Sequence, residues 1–346
     1  LRQFTKIRTQ SQKIKSINYT FRFPLMNNIY IIALFLGLSL QMTAQDDSLS
    51  SQNNNRHQIV ASTDNDFFAV FTNKDRSYSF GVSAGYRFIP NKENLFTRIF
   101  SDKKDFLHFI NLKLEAYTPN YNFNTGETTG IRPFAGWSYA TLGTTYTFNK
   151  SIITFKTEIG VLGEISQAHE LQDWFHSKVS GDVVLQGWDQ QVPNQLGVNL
   201  KANYTRSIFT NNGFNGFVEG NASLGNVRTL VNPQLGIRFG KFLEIQRSSA
   251  FQNSLFNTKD EVEYFIKLTG GFKLKAYDAT LQGNMFGSNK NDYILEDIDH
   301  TTFHASLGGF VHFRDFDFSA IYYINSGEID SIRTHSYGAI SIAYQF

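Results

Sequence analysis

The chain has no cysteine, which excludes disulfides, thiolate metal centres and a cysteine nucleophile but leaves its compartment open. Its formal charge of +2 leaves no basic surplus for nucleic acid, and no basic block stands out in the main body of the chain, so no nucleic-acid partner is expected. No apolar run reaches the roughly 20 residues that a membrane-spanning helix needs. G-x-S-x-G, H-E-x-x-H and phosphate-loop patterns are also missing. Proline is scarce, with 6 residues against 34 Phe and 16 Tyr, and that aromatic excess needs a place in the fold.

The longest apolar run, Ile29 to Leu40, has the length of a signal-peptide core. It is followed by Gln41-Met-Thr-Ala44 and then by polar Gln45-Asp-Asp, so cleavage is expected after Ala44. The sequence is therefore divided into residues 1–25, upstream of a start at Met26; residues 26–44, a signal peptide; residues 45–57, a polar leader; and residues 58–346, the folded body. The mature protein is expected to be exported.

From Gln58 onward the chain alternates with period two. Leu196, Val198, Leu200, Ala202 and Tyr204 interleave with Gln195, Gly197, Asn199, Lys201 and Asn203. Val262, Tyr264, Ile266 and Leu268 do the same with Glu261, Glu263 and Lys267. One face is mostly apolar and the other carries the charges; Lys156 and Glu158 are expected to pair with neighbours there. A soluble sandwich also buries an apolar face, so alternation alone does not choose between the two.

Three features favour a membrane barrel. The alternating segments run to roughly 10–17 residues, long enough for tilted membrane strands and longer than the common strand of about 5–6. Phe and Tyr are abundant, as interfacial girdles require. The chain also closes on a strand, 335–346, with Ser336, Gly338, Ile340, Ile342, Tyr344 and Phe346 on one face. A closing strand with a C-terminal Phe looks like the signal read by the barrel-assembly machinery of the bacterial outer membrane. A mean hydropathy of −0.29 is compatible with this, because only alternate residues would face lipid.

The expected architecture is all-β, a transmembrane antiparallel barrel of about twelve strands with no plug domain. The strands are read at 58–71, 77–89, 106–117, 134–148, 152–162, 194–207, 214–224, 227–239, 261–277, 300–313, 316–325 and 335–346. One segment breaks the rhythm. Ser166 to Val179 places Ala168, Leu171, Phe175 and Val179 at helical spacing, a short amphipathic helix capped by Ser166.

Polar features collect near strand ends and in that helix. Asp64-Asn65-Asp66 interrupts a strand pattern, although acids and amides fit pleated surfaces poorly. It reads either as a site or as a wet patch of the lumen. Gln172 and His176 lie four apart on one helix face and so point at one spot. A neutral His there is suited to general-base work near pH 7, while the bland reading is a solvated helix residue, as for His169. Asn65 and Asp66 supply hard oxygen donors, suited to calcium rather than zinc. Arg132-Pro133 could simply start a strand, and Ser79 alone signifies nothing.

Several segments, in this order, resemble the outer-membrane lipid A 3'-O-deacylase family along nearly the whole mature chain. They are Asp64-Asn-Asp-Phe67, Lys74-Asp-Arg-Ser-Tyr-Ser-Phe-Gly81, Arg132-Pro-Phe-Ala-Gly-Trp137 and Glu158-Ile-Gly-Val-Leu-Gly163. Gln172-Asp-Trp-Phe-His176, Gly187-Trp-Asp-Gln-Gln-Val-Pro-Asn194 and Asp278-Ala-Thr-Leu-Gln-Gly283 follow. The resemblance implies a twelve-stranded outer-membrane barrel, with the helix near an active site that performs calcium-dependent hydrolysis of the 3'-acyloxyacyl ester of lipid A. It implies His176 as the base and Asn65, Asp66, Ser79 and Gln172 as its companions, with Ca2+ held near Asn65 and Asp66. The implied partners are lipopolysaccharide and outer-membrane lipids.

Two departures stand out. Asp182 occupies a position where the family has a longer acid. The segment 120–131 has no Lys, which leaves Arg76 and Arg132 as the candidates to meet lipid A phosphates. Competing expectations are a non-catalytic barrel or small channel of the same ancestry, and a secreted β-sandwich binding protein.

Overall fold

A computed structural model describes residues 55–68, 78–92, 95–120, 125, 127, 132–181, 183–287, 294–295, 297–329 and 334–346. The expected upstream segment and signal peptide, and most of the polar leader, lie outside the described residues.

Twelve strands close into one antiparallel barrel, each paired with its neighbours in sequence. They are β1 (His57–Asn65), β2 (Phe80–Phe88), β3 (Phe106–Tyr117), β4 (Ala135–Thr147), β5 (Ser151–Leu162) and β6 (Gln195–Asn211). β7 (Phe214–Gly225), β8 (Arg228–Lys241), β9 (Glu263–Asp278), β10 (Thr301–Phe313), β11 (Phe316–Ser326) and β12 (Thr334–Gln345) complete it. The closure joins β1 to β12 in register from Gln58 opposite Gln345 to Asn65 opposite Gly338. Closure leaves no unpaired edge, the condition for sheet to survive in lipid.

The alternation resolves with the apolar faces outward, so a two-sheet sandwich is excluded. On β6, Leu196, Val198 and Leu200 are exposed while Gln195 and Asn199 are buried inside. The polar set forms an ion-paired lumen. Lys113 bridges Asp64 at 3.0 Å and Glu115 at 3.2 Å, and Arg228 reaches Glu115 at 2.8 Å. Glu158 pairs with a lumen neighbour as expected, Lys201 at 2.5 Å, with Asn199 donating at 2.9 Å. Outward-facing rings of Tyr86, Phe88, Phe316, Tyr344 and Phe346 cluster at the end that holds both termini of the barrel. This is an interfacial girdle, and it accounts for part of the aromatic excess.

At the terminus end, 148–150, 212–213 and 314–315 are tight hairpin connections, as expected on the periplasmic side of such barrels. Residues 242–262, between β8 and β9, depart from that rule. They fold into the barrel through two 3-10 turns, Ser249–Phe251 and Ser254–Phe256, with Ile245, Ser248, Asn253 and Ser254 buried. Gln246 donates to the carbonyls of Phe148 and Asn149, at 2.7 and 2.5 Å. Glu263 accepts from the backbone N–H groups of Leu243 and Ser249, both at 2.8 Å. Phe251 meets Phe217 edge-on at 5.3 Å, beneath the guanidinium of Arg238. The expectation of no plug domain holds only in that the plug is a connection rather than a domain. Its alternating flanks hid it.

At the opposite mouth the lumen narrows around a buried cluster of Tyr78, Tyr117, Trp137, Leu162, Val192 and Val227. Cavities inside the barrel include two of about 320 and 340 Å³.

Candidate active site on the outer wall

The acid-amide run that interrupts the first strand pattern marks the end of that strand. β1 stops at Asn65 and Asp66–Phe68 forms a single 3-10 turn, so the expected strand does not continue through 66–68, and 69–71 lie outside the described residues. The three polar residues then part. Asp64 points into the lumen, where it accepts from the Tyr78 hydroxyl and pairs with Lys113. Asn65 is the last paired residue, opposite Phe80 on one side and Gly338 on the other. Asp66 is buried at 3% exposure, and its backbone N–H donates to the Ser79 carbonyl at 3.1 Å.

Ser79 is fixed from both sides. Its N–H donates to the Ala116 carbonyl at 3.0 Å, and its hydroxyl shares a hydrogen bond with that of Thr118 at 2.6 Å. Both hydroxyl residues are buried. Thr118 was not legible as a site residue, because a Thr at a strand end carries no signal of its own.

The helix arrives from β5. Gly163 (φ 91°) and Gln167 (φ 59°) turn the chain, and α1 runs Ala168–Phe175 before a single π-helical turn, His176–Ser180. The N-cap position is Gln167 rather than Ser166, although the Ser166 hydroxyl still accepts from the Ala168 N–H at 3.3 Å. π turns inside helices recur at functional sites.

α1 lies on the outside of the barrel. It rests on the outward side chains of β3 and β4, where Ala168 and Leu171 pack with Leu114, Ala116, Phe80, Phe134, Leu185 and Trp188. Ser138 ties it down by donating to the Ser166 carbonyl at 2.6 Å. Gly136 permits the approach, since a Cβ there would overlap both the Ser166 hydroxyl and the Ala168 side chain. Gly136→Val is therefore expected to lift the helix from the wall and expose Trp188, read as a red shift in tryptophan emission, while the barrel remains heat-modifiable. Unchanged emission in that variant would show that Gly136 does not set the seat of α1.

The buried stripe of the helix is Ala168, Gln172 and His176. The apolar pattern expected the buried face at Ala168, Leu171, Phe175 and Val179. Instead, two polar side chains take the inner positions, and Leu171 and Phe175 are half-buried beside them. Gln172 accepts from the Trp188 indole N–H at 2.8 Å, and its own amide nitrogen is buried with no partner among the described residues. Trp188 is held in turn by the Phe134 ring at 4.8 Å and the His169 ring at 5.6 Å. The His176 Nδ1 lies 2.8 Å from the Val183 carbonyl. A carbonyl only accepts, so Nδ1 carries the proton and Nε2 is left with a lone pair in the neutral ring.

These pieces meet at the Phe80–Ala116 pad. Phe80 follows Ser79 and stands opposite Asn65, while Ala116 supports α1. Asn65, Asp66 and Ser79 thus lie on the strands at one side of that pad, and α1, with Gln172 and His176, rests on the other. Calcium fits the donors on offer, because Asn65, Asp66, Ser79 and Thr118 provide only oxygens as metal ligands. Among the described residues no cluster of three or more His, Asp or Glu side chains could hold a metal, so the charge count of such a site is low.

Arg132 lies elsewhere. Its buried guanidinium sits over the Tyr117 ring at 4.6 Å, inside the mouth, and reaches Thr280 at 3.2 Å and Glu328 at 3.6 Å. Thr280 belongs to the short helix α2, Ala279–Gln282, which the sequence reading missed. The expectation that Arg132 meets a lipid phosphate is replaced by a bracing role between loops. Arg76 and Asp182 lie outside the described residues.

Burial alone would raise the Glu328 carboxyl, but Arg132, Lys275 and Lys273 outweigh it and hold the group at about 2. A depressed carboxylate stabilises the fold above its unfolded value of 4.5, and that contribution is lost as pH falls towards about 2. Thermal stability is expected to decline across that window, and to decline less in Glu328→Gln. Equal acid sensitivity of the two proteins would remove Glu328 from the brace.

One comparison with a solved structure agrees with this architecture. The solved structure of LpxR from Salmonella typhimurium matches with a TM-score of 0.67 at 20% identity, covering 84% of this chain and 100% of that one. The β domain of the Bordetella autotransporter BrkA matches at a TM-score of 0.45 and 9% identity, over 84% of this chain and 99% of that chain. No curated protein matches at a significant level. The family model described as outer membrane protein LpxR matches residues 30–346, and the chain belongs to that family of outer-membrane barrels.

Proposed function

We propose that the protein is a calcium-dependent lipid A 3'-O-deacylase with His176 as general base. The observation that carries this reading is the inward-facing Gln172–His176 pair on a helix clamped to the outer wall. Burying two polar side chains in place of Leu171 and Phe175 costs stability unless they serve a purpose. The location suits a lipid substrate, which can reach the outer wall sideways within the membrane without entering the lumen.

Nε2 of His176 takes a proton from water as the water oxygen attacks the ester carbonyl. The tetrahedral carbon then expels the sugar 3'-oxygen, which takes the proton back from the imidazolium. The products are the free acyloxyacyl acid and a 3'-hydroxyl on lipid A. The amide nitrogen of Gln172, which has no partner among the described residues, provides a donor for the developing oxyanion, and Trp188 fixes the orientation of that amide. Bound calcium, held by Asn65 and Asp66 with hydroxyl help from Ser79 and Thr118, would polarise the ester carbonyl. Mass spectrometry of lipid A from cells producing the protein, with and without calcium, tests the reading. Unaltered lipid A under both conditions sinks it.

The alternative, a small channel, meets an obstacle in the plug at residues 242–262. The native barrel is expected to show no steady conductance in planar bilayers. Replacing residues 244–261 by a short turn should open one. Steady conductance from the native protein would favour the channel.

A further inference from the structure

We propose that residues 95–106, leading into β3, form a second membrane contact: an in-plane anchor for the anionic phospholipid leaflet at the terminus end. This goes beyond the hydrolytic reading and does not depend on it. In this segment, the 3-10 turn Phe96–Arg98 lies on the outside of the barrel. Phe100 is the peg that holds it there. Its ring packs 5.1 Å from Tyr146 and 5.4 Å from Phe148, and 6.4 Å from Phe155, which is exposed on the lipid-facing side of β5. The Tyr146 hydroxyl donates to the Phe96 carbonyl at 2.6 Å, and the Phe96 ring stands 6.4 Å from His108 on the outward side of β3.

With its inner side so fixed, the turn presents Leu95, Phe96 and Ile99 outward at 81, 58 and 54% exposure. Three large apolar side chains on one short turn are costly in water. They continue the lipid-facing belt formed on the same strands by Ile110, Leu112, Leu142 and Phe155, all exposed. Continuity with that belt identifies their neighbour as acyl chain rather than protein.

The flanking charges fix the depth. Arg98 and Lys104 are exposed, and Lys103 lies over the Phe106 ring at 5.4 Å with its ammonium directed to the Phe100 carbonyl at 3.4 Å. Exposed Asp102 and Asp105 bracket the lysine pair and offset part of its charge, so the positive surplus is small. Cations beside an apolar turn at the water edge are the pattern of a segment lying in the interface, attracted by anionic headgroups. The segment therefore adds an apolar foot with a slight positive surplus to one side of the barrel, beneath β3–β5. The outer-wall site sits above β3 and β4, so the foot fixes the height of that sector.

The absence of native cysteine makes the test clean. Leu95→Cys and Ile99→Cys, with Asn212→Cys in the exposed β6–β7 turn as the aqueous control, are labelled with an environment-sensitive fluorophore. They are reconstituted in phosphatidylcholine vesicles with and without phosphatidylglycerol. The anchor predicts a blue shift and strong quenching by nitroxide lipids at 95 and 99, weak quenching at 212, and more quenching at 95 as phosphatidylglycerol rises. Lys103→Gln with Lys104→Gln should abolish that last dependence. Labels at 95 and 99 as water-accessible as the label at 212 would overturn the proposal. So would protection that follows protein density rather than lipid, which would mark a contact between copies. Persistence of the phosphatidylglycerol response in the double Gln variant would overturn the charge component.

Discussion

His176→Ala is expected to lose about 10²–10⁴-fold in ester hydrolysis, the usual range for a missing general base, while the barrel still folds and shifts its migration on heating. Among the described residues the ring is held by one hydrogen bond, Nδ1 to the Val183 carbonyl. Its removal leaves a backbone acceptor beside the end of a short helix and no orphaned charge. The barrel is built from strand ladders that the helix does not join, so the fold should tolerate the change. His176→Gln makes the test sharper, because its amide can still donate to Val183 but cannot accept a proton at neutral pH. Equal loss in both variants points to the base. Retention of activity in the Gln variant would assign His176 to holding the 176–183 turn.

The fold was legible because its two strongest signals survive without tertiary context. Period-two alternation reports a surface wetted on one side, and strand length reports the membrane. What alternation could not reveal was the direction of the odd segments. Residues 242–262 read as a connection with a few apolar residues, and only the barrel gives Ile245 and Phe251 an interior to fill. The helix was read correctly as an element, but its buried face was not. Hydrophobic spacing favours Leu171 and Phe175, but the buried positions hold Gln172 and His176. In the same way, β1 was read through Asp66 to residue 71, although the polar residues that made the segment conspicuous are those that end it. Arg132 shows the limit of residue chemistry. Its charge suits a phosphate, but its place in the mouth commits it to Glu328, and sequence spacing could not distinguish the inside of the wall from the outside.

The second large effect is expected at Asp66. Asp66→Asn should raise the calcium concentration needed for half-maximal hydrolysis well beyond that of the native protein, and excess calcium should restore part of the rate. Calcium affinity follows the number of charged ligands and the rigidity of the site. The outer-wall set contains a single carboxylate, Asp66, among amide and hydroxyl oxygens, so its charge carries an unusually large share of the attraction. The substitution keeps the shape and preserves the backbone N–H that donates to the Ser79 carbonyl. A change in calcium response would therefore reflect charge rather than loss of the turn. Asn65→Ala removes a neutral donor and should move the midpoint less. Asp64→Asn is the internal control, since Asp64 faces Lys113 in the lumen and should leave the midpoint unchanged although it weakens an ion pair. If Asp66→Asn and Asp64→Asn titrate alike, the acid-amide run has no metal chemistry and serves only to end β1.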